Sequence, residues 1–349
     1  MVSPRLAPVR ALLVILVVAA AAGAVATATA PGTPIEARSI RQSLFGTCFT
    51  NDHEAWIVGD LGRVLHTTDG GDTWRREDAA TKRPFLAIDC VGPGTAWIAG
   101  KEGIVSTTSD GGATWRSVET GSARHLFALR FANKHRGHAV GDFGTMIHTE
   151  DGGESWTVDR VPDHVELPEM AIDMGVEPGD VNLYALSYGD DDHAWIAGEF
   201  GTIMASQNGG VSWVQQRPPF ETTLFGIQFL DARRGWAVGI DSVILRTVDG
   251  GRTWEVQQAP VQQRSFYDVR IQGRHGWIVG DSGTVLRSND GGESWTLHPL
   301  PIELAANWIR SVWLTPAGSG LAVGADGLIF RLDGERFERL GATALRDDS

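Results

Sequence analysis

The sequence repeats a short pattern at intervals of about 41 residues. Six segments read Thr/Ser-x-Asp/Asn-Gly-Gly-x-Thr/Ser-Trp, and their closing tryptophans lie 41, 41, 57, 41 and 41 residues apart. A seventh, degenerate copy spans 332–337. So regular a period indicates stacked, nearly identical structural units. The third positions of the six boxes are Asp69, Asp110, Asp151, Asn208, Asp249 and Asp290, and the closing residues are Trp74, Trp115, Trp156, Trp213, Trp254 and Trp295.

Two further elements precede each box. One reads Trp56-Ile-Val-Gly59 in its first copy, and His138 replaces the tryptophan in the third. The other has apolar residues at every second position, as at Phe127, Leu129 and Phe131. A period of two residues is that of a β-strand. Four short strands per unit of about 40 residues are typical of a propeller blade, and seven units close a ring without free sheet edges. The sequence therefore predicts an all-β, seven-bladed β-propeller of four-stranded antiparallel blades over residues 42–342.

The composition agrees with this architecture and excludes several other classes. The chain of 349 residues contains 43 Gly and 13 Trp, most of them within the repeated elements. A hydrophobic content of 42 % excludes disorder, and a net charge of −13 argues against nucleic acid as a partner. The sequence has no phosphate loop, zinc motif or nucleophile elbow. We therefore expect no cofactor, no metal and no catalytic residue.

The N-terminus has the features of an export signal. Arg5 and Arg10 precede an uncharged run, 11–30, which ends in Ala28-Thr29-Ala30. This pattern predicts a signal peptide over 1–30, with an uncleaved membrane anchor as the alternative. A linker over 31–41 and a tail over 343–349 would flank the ring. The main part of the chain is accordingly expected to be periplasmic or secreted.

The box residues are predicted to have structural roles. The aspartate can accept backbone N–H groups within a tight turn, and the paired glycines can adopt positive φ. The closing tryptophan would bury its ring between the third and fourth strands, with its N–H on a carbonyl. Catalysis by these aspartates is disfavoured because they are distributed around the whole ring.

The innermost strands carry a small residue at one alternate position. Asp268 and Arg310 are the predicted exceptions, which would pair or line the channel. Cys48 and Cys90 are offset by one position between equivalent strands, so we expect their side chains on opposite faces and two free thiols rather than a disulfide. The small residues are Gly46, Ala87, Ala128, Ala185 and Gly226.

Candidate binding residues occur on both faces of the predicted ring. Acidic turns between second and third strands are either ordinary hairpin turns or a negative ring for a cation or a basic partner segment. An acidic insertion over 162–178 shares that face, and it is either a binding element or a tolerated loop. The opposite face is more basic, either as a solvated surface or as a site for an anionic partner. The selected acids are Asp60, Asp142, Glu199 and Asp281, alongside Glu102, Asp241 and Asp326, and the selected cations are Arg130, Arg270, Arg136 and Arg234.

A secreted chain with these boxes and Trp-Ile-Val-Gly strands resembles the photosystem II stability/assembly-factor family over residues ~40–342. That resemblance implies a seven-bladed propeller and a non-enzymatic scaffold for the assembly of membrane protein complexes. The expected partner is a membrane protein or a membrane-associated complex, and the expected state is a monomer.

The alternative is an Asp-box glycoside hydrolase of the sialidase kind. Sialidases resemble this chain in their boxes, but their chemistry implies a three-arginine clamp, a Tyr nucleophile paired to Glu, and an Arg-Ile-Pro motif. The sequence has no Arg-Ile-Pro. Its three tyrosines, Tyr184, Tyr188 and Tyr267, replace phenylalanines of other units and are predicted to be core residues.

Overall fold

The computed structural model describes residues 36–37, 40–162 and 165–341. Within them the chain forms seven four-stranded antiparallel sheets, each built from four consecutive strands. The first strand of every sheet contacts the first strands of the two neighbouring sheets, so these strands surround a central channel. The predicted seven-bladed propeller is thereby confirmed. The predicted signal segment 1–30 and the tail 343–349 lie outside the described residues.

The strands follow one another blade by blade. Blade 1 contains β1 (Leu44–Phe49), β2 (Ala55–Gly59), β3 (Arg63–Thr67) and β4 (Arg75–Asp78). Blade 2 contains β5 (Phe85–Gly92), β6 (Thr95–Gly100), β7 (Val105–Thr108) and β8 (Arg116–Val118). Blade 3 contains β9 (Leu126–Phe131), β10 (Gly137–Gly141), β11 (Thr145–Thr149) and β12 (Thr157–Arg160). Blade 4 contains β13 (Leu183–Tyr188), β14 (Ala194–Gly198), β15 (Ile203–Ser206) and β16 (Val214–Gln216).

The remaining three blades have the same order. Blade 5 contains β17 (Leu224–Phe229), β18 (Gly235–Gly239), β19 (Ile244–Thr247) and β20 (Glu255–Val256). Blade 6 contains β21 (Phe266–Gln272), β22 (His275–Gly280), β23 (Val285–Ser288) and β24 (Thr296–Leu297). Blade 7 contains β25 (Ile309–Leu314), β26 (Ser319–Gly324), β27 (Ile329–Asp333) and β28 (Arg336–Arg339). A short helix, α1 (Glu169–Asp173), lies in the insertion between β12 and β13.

The ring has two distinct faces. On one, which we call the box face, the first glycine of each box donates its N–H to a carbonyl in the loop between first and second strands; Gly70 N to His53 O is 2.8 Å. On the other, which we call the crossover face, the turns between second and third strands meet the connections between blades. There Asp60 N donates to Ser43 O at 2.9 Å. The faces are therefore assigned as the strand order predicts.

The core lies in the gaps between blades. Second strands such as β2 are apolar on both sides and completely buried, because each blade is covered by two neighbours. The ring closes by packing rather than by strand exchange. Leu44 and Trp74 of blade 1 share a cluster with Leu321 and Ile329 of blade 7. Burial of apolar area in these seven gaps is the main stabilising term.

The boxes have the predicted hydrogen bonds. In the box of blade 1, Thr67 Oγ1 donates to Asp69 Oδ1 at 2.7 Å, and the Thr73 amide donates to the same oxygen at 3.0 Å. Gly70 and Gly71 have φ of 72° and 94°, where only glycine is free of steric strain. The box is therefore a turn held by its own side chains.

The N–H groups of the box tryptophans differ from the prediction. The ring of Trp115 meets Trp56 of the preceding blade edge-on at 5.7 Å, and Trp156 meets Trp97 in the same way at 6.0 Å. Within the described residues, the buried Nε1 atoms of Trp74, Trp115, Trp156 and Trp254 have no hydrogen-bond acceptor. Two tryptophans of the second strands donate to a carbonyl in the next blade's box, Trp195 to Gly250 O and Trp236 to Gly292 O. The buried Nε1 atoms of Trp56 and Trp277 have no acceptor among the described residues. The boxes thus join blades as well as strands.

The Cys48–Cys90 pair corrects a second prediction. The two residues form a disulfide between β1 and β5, with their Cα atoms 5.8 Å apart. As predicted, the one-position offset places the two side chains on opposite faces of their strands. Neighbouring blades, however, pack with opposite faces towards each other, so both side chains point into the same gap between blades 1 and 2. The same pair of positions is joined elsewhere by a hydrogen bond, from the Phe131 amide to Asp89 and from the Phe229 amide to Ser187.

The box carboxylates make the stability of the fold sensitive to acid. Although partial burial opposes it, hydrogen bonds from Thr253 and Thr247 lower the pKa of Asp249 to about 2. Because an unfolded aspartate titrates near pH 4, this stabilisation is complete above about pH 4 and is lost as the pH falls towards 2.

We expect Asp249→Asn to reduce that acid sensitivity. Asn208 already occupies this position in blade 4, where it accepts the Ser212 amide and donates to the Ser212 hydroxyl. The loss at pH 7 should therefore be below about 1 kcal/mol. Free energies of unfolding measured from pH 7 to pH 2 test this, and a profile as steep as that of the unsubstituted protein would contradict it.

Candidate functional site

The channel opens on the crossover face through a ring of apolar side chains. One position, the second residue of the first strand, supplies one side chain from every blade. The rings are in contact around the opening: Phe127 to Tyr184 is 5.3 Å, Tyr184 to Phe225 is 5.0 Å and Phe225 to Tyr267 is 5.5 Å. We call this set the aromatic mouth; it consists of Phe45, Leu86, Phe127, Tyr184, Phe225, Tyr267 and Arg310.

The aromatic mouth encloses a cavity of about 410 Å³, which Trp308 and Lys101 also line. Below it the channel narrows to the predicted small residues, such as Gly46 and Ala128. The cavity is therefore the wide, mainly apolar end of a narrower channel. A volume of this size lies within the range of ligand pockets in proteins.

Arg310 is the one cation among the seven residues of the aromatic mouth, and its position differs from the prediction. Ser311, not Arg310, occupies the slot of the small residues, because β25 is paired so that Ser311 lies opposite Val323. Arg310 instead takes the place of an aromatic residue. Its guanidinium lies over Tyr267 at 5.5 Å, and Nη1 donates to Tyr267 O at 3.1 Å. Burial lowers the pKa of Arg310, while Asp268 opposes that shift.

The tyrosines at the mouth are partly exposed, contrary to their prediction as core residues. Tyr184 OH donates to Glu199 Oε1 at 3.0 Å, and the Asn182 amide donates to Glu199 Oε2 at 2.9 Å. Burial, followed by the charge of Glu199, raises the pKa of Tyr184 to about 12. Glu199 thus fixes the start of β13, and both of its carboxylate oxygens already accept hydrogen bonds from neighbouring residues.

The other selected acids occupy two different positions of their turns. Asp60, Asp142 and Asp281 stand at the first position, where Asp281 accepts the Ser265 amide at 3.1 Å. Glu102, Asp241 and Asp326 stand at the second position, which has a positive φ. The structure therefore separates these six acids into two sets, distributed over six of the seven blades, and none of the six lines the cavity of the aromatic mouth.

Apolar side chains surround the mouth on the crossover face. Leu61 and Phe143 occupy the second turn position of their blades and are 59 % and 44 % exposed, and Ile302 is 86 % exposed. In the insertion, Met170, Ile172 and Met174 are also exposed, while Gln215 fixes the segment to blade 4 by bonds to the Glu166 backbone. The Arg124 guanidinium lies over the Phe143 ring at 4.3 Å, yet Phe143 and the other apolar groups of this face remain exposed to solvent.

The channel opening on the box face has a different chemistry. Arg130 and Arg270, from blades 3 and 6, both approach the ring of Trp313, at 5.3 Å and 5.2 Å. Asp89 lies 3.8 Å from Arg130, and Asp268 lies 4.0 Å from Arg270. Burial, and then Arg270, lower the pKa of Arg130 to about 10. Sequence reasoning selected both arginines but could not place Trp313 between them.

The remaining two selected cations are held by neighbours. Arg234 pairs with Asp231 at 2.7 Å in its own loop. Arg136 packs on Gly209 and lines a second cavity of about 410 Å³ between blades 3 and 4. His138, which replaces the tryptophan of that blade, lies 2.5 Å from Tyr188 OH there. Burial lowers its pKa to about 4, so His138 is a neutral core residue at pH 7.

In the ranges 36–37, 40–162 and 165–341, no three His, Cys, Asp or Glu side chains are grouped as metal ligands would be. Among the same residues, none of the helices has the length and apolarity that crossing a membrane requires.

Comparison with known proteins identifies the family. The family model described as photosynthesis system II assembly factor YCF48 matches residues 34–125 and 211–331. A photosystem II assembly protein Ycf48 of Synechococcus sp. (strain JA-3-3Ab) is 33 % identical over 58 residues, which cover 16 % of this chain and 17 % of that protein. A second, from Synechococcus sp. (strain JA-2-3B'a(2-13)), is 31 % identical over 58 residues, with the same coverage. The aligned segment thus spans about a sixth of the curated relatives.

Solved structures support the same fold. YCF48 bound to D1 peptide superposes with a TM-score of 0.68 and 18 % identity, covering 87 % of this chain and 95 % of that one. YCF48 from Cyanidioschyzon merolae superposes with a TM-score of 0.68 and 20 % identity, covering 87 % of this chain and 100 % of that one. The WD40 propeller of Doa1 superposes with a TM-score of 0.66 and 14 % identity, covering 88 % of this chain and 97 % of that one. The family model covers more than half of the chain, and the protein therefore belongs to the Ycf48 family of photosystem II assembly factors.

Proposed function

We propose that this protein is a non-enzymatic, extracytoplasmic scaffold that binds a segment of a membrane protein and assists the assembly of a membrane complex. The observation that carries the proposal is the apolar crossover face, where exposed apolar side chains accompany the aromatic mouth. Exposed apolar groups of this kind mark surfaces that bind other proteins or membranes.

Three further features support the proposal. A Ycf48 relative has been solved with a D1 peptide, which is a precedent for peptide binding on this fold. The Cys48–Cys90 disulfide favours an oxidising compartment outside the cytoplasm. The uncharged run 11–30 favours export or anchoring.

The experiment is capture of membrane proteins by the full-length protein from solubilised membranes. We expect Leu61→Asn combined with Phe143→Asn to reduce capture at least about fivefold, because both changes remove apolar contact area. Both positions have positive φ, 56° and 49°, which asparagine tolerates better than Leu or Phe. The folded ring should therefore be at least as stable as before, and loss of capture would report the surface.

The matched control is on the box face. Val211→Ser and Val248→Ser remove exposed apolar side chains there and should leave capture unchanged. Equal capture by the crossover-face variant and the unsubstituted protein would contradict the proposed face. Loss of capture only in the box-face variant would move the site to the opposite side of the ring.

The hydrolase alternative has one geometrical point in its favour, the Tyr184–Glu199 pair. A tyrosine nucleophile must lose its proton, however, and the pKa of Tyr184 is raised rather than lowered. Sialidase chemistry implies three arginines on one carboxylate. Of the three arginines that line this channel, only Arg310 lies at the aromatic mouth, while Arg130 and Arg270 pack on Trp313 at the opposite opening. A binding role therefore suits this site better than glycoside hydrolysis.

A further inference from the structure

Arg310 forms no ion pair among the described residues. Among the described residues no carboxylate lies within 4.0 Å of its guanidinium, whose one hydrogen bond is to Tyr267 O. The nearest acid of the channel, Asp268, accepts the Val312 amide at 3.0 Å and approaches Arg270 instead. The remaining N–H donors of this partly buried guanidinium are therefore available to an anion that enters the cavity.

The surroundings of Arg310 define what that anion must carry. The other six positions of the aromatic mouth are phenylalanine, tyrosine or leucine, so the group that enters the cavity must bury an apolar body beside the charge. Lys101 at the rim adds a second cation. Carboxylate suits this pair of cations, because a guanidinium binds it through two parallel N–H donors.

The crossover face indicates that the occupant belongs to a larger molecule. Leu61, Phe143 and Ile302 offer apolar contacts outside the cavity, which a small free acid would leave unused. The turn acids on the same face and the net charge of −13 disfavour a polyanion such as nucleic acid. A polypeptide that is mainly apolar, with an isolated acidic group, matches both features.

We propose that the aromatic mouth binds one bulky apolar side chain of an extended partner segment, and that Arg310 binds a carboxylate next to that side chain. This inference rests on the proposed function and deepens it by naming the subsite and the local chemistry of the partner. Arg310 is a binding residue in this scheme, and Lys101 assists it from the rim.

The test uses the full-length protein and the peptide acetyl-Gly-Ser-Phe-Glu-Ser-Gly-amide, with binding measured by calorimetry. Phe→Ala or Glu→Gln in the peptide should each weaken binding, the latter by about tenfold or more because a buried charge pair is broken. Arg310→Gln in the protein should weaken binding of the Glu peptide to the same extent. Against the Gln peptide, the same substitution should have little further effect, because the charge pair is already absent.

Two further variants separate binding from folding. Lys101→Gln changes an exposed side chain, so it should fold normally and still weaken the Glu peptide more than the Gln peptide. Arg336→Gln removes an exposed arginine of the same blade as Arg310 and should leave binding unchanged. Equal affinity of the Glu and Gln peptides, or no binding at millimolar concentration, would overturn the proposal.

Failure of the Arg310 subsite can be distinguished from failure of the proposed scaffold function. If Leu61→Asn with Phe143→Asn abolishes membrane-protein capture while Arg310→Gln leaves it unchanged, the scaffold role holds and the subsite is wrong. If the Glu peptide binds through Arg310 but no membrane protein is captured through the crossover face, the subsite holds and the scaffold role fails.

Discussion

Replacing Cys48 and Cys90 together by alanine is expected to lower the free energy of unfolding by about 4 kcal/mol. The disulfide joins residues 42 apart in sequence, and opening a loop of that size restores chain entropy to the unfolded state in proportion to the logarithm of its length. The bond also connects the first strands of blades 1 and 2, which form part of the wall of the channel. Denaturant unfolding of the full-length protein, with and without reductant, measures the effect.

The single variant Cys90→Ala provides the matched control. It leaves Cys48 buried as a free thiol and should be about as unstable as the double variant, because the cross-link is lost in both. Reductant should destabilise the unsubstituted protein and leave both variants unchanged. An unsubstituted protein insensitive to reductant under denaturing conditions would show that the two thiols are free.

Alanine at Gly112, the second glycine of the blade 2 box, is expected to cost about 3 kcal/mol. A Cβ there would lie 2.4 Å from Cη2 of Trp56 in blade 1, and the residue has a φ of +84°. The backbone strain contributes about 1 kcal/mol, and displacing a buried indole from a packed gap contributes the rest. Thermal and denaturant unfolding would both show the loss.

Gly111, the preceding residue, separates the two contributions. It has a φ of +70°, but a Cβ there would have no heavy atom within 4 Å, so Gly111→Ala should cost only about 1 kcal/mol. Combining Gly112→Ala with Trp56→Leu should show a favourable coupling between the two substitutions. Blade 7 has Leu321 at the position of Trp56, and a Cβ on Gly71 in the facing box would lie 3.7 Å from it, a normal contact. Equal costs for the two alanine variants would contradict the role of Gly112 as the contact for Trp56.

The candidate site was predicted only in part, because its residues come from different blades. The boxes, the small channel residues and the two faces follow from periods and turn chemistry, which operate within about 40 residues. Arg130 and Arg270 were selected, yet their meeting at Trp313 depends on three blades converging on one axis. The aromatic mouth was overlooked because each phenylalanine or tyrosine, taken alone, looks like a core residue. The available signal was that all seven blades use the same strand position and that Arg310 breaks the series.

The sequence by itself determined the number of blades, the strand order and the box turns, because each depends on local patterns that recur in every unit. The tertiary structure decided which side chains meet between blades. Neighbouring blades face each other with opposite sides of equivalent strands, so partners across a gap are offset by one position, as Cys48 and Cys90 are. Closing seven units around one axis also gathers a single position from each blade into the aromatic mouth. No local pattern contains that geometry, since it exists only once the ring has closed.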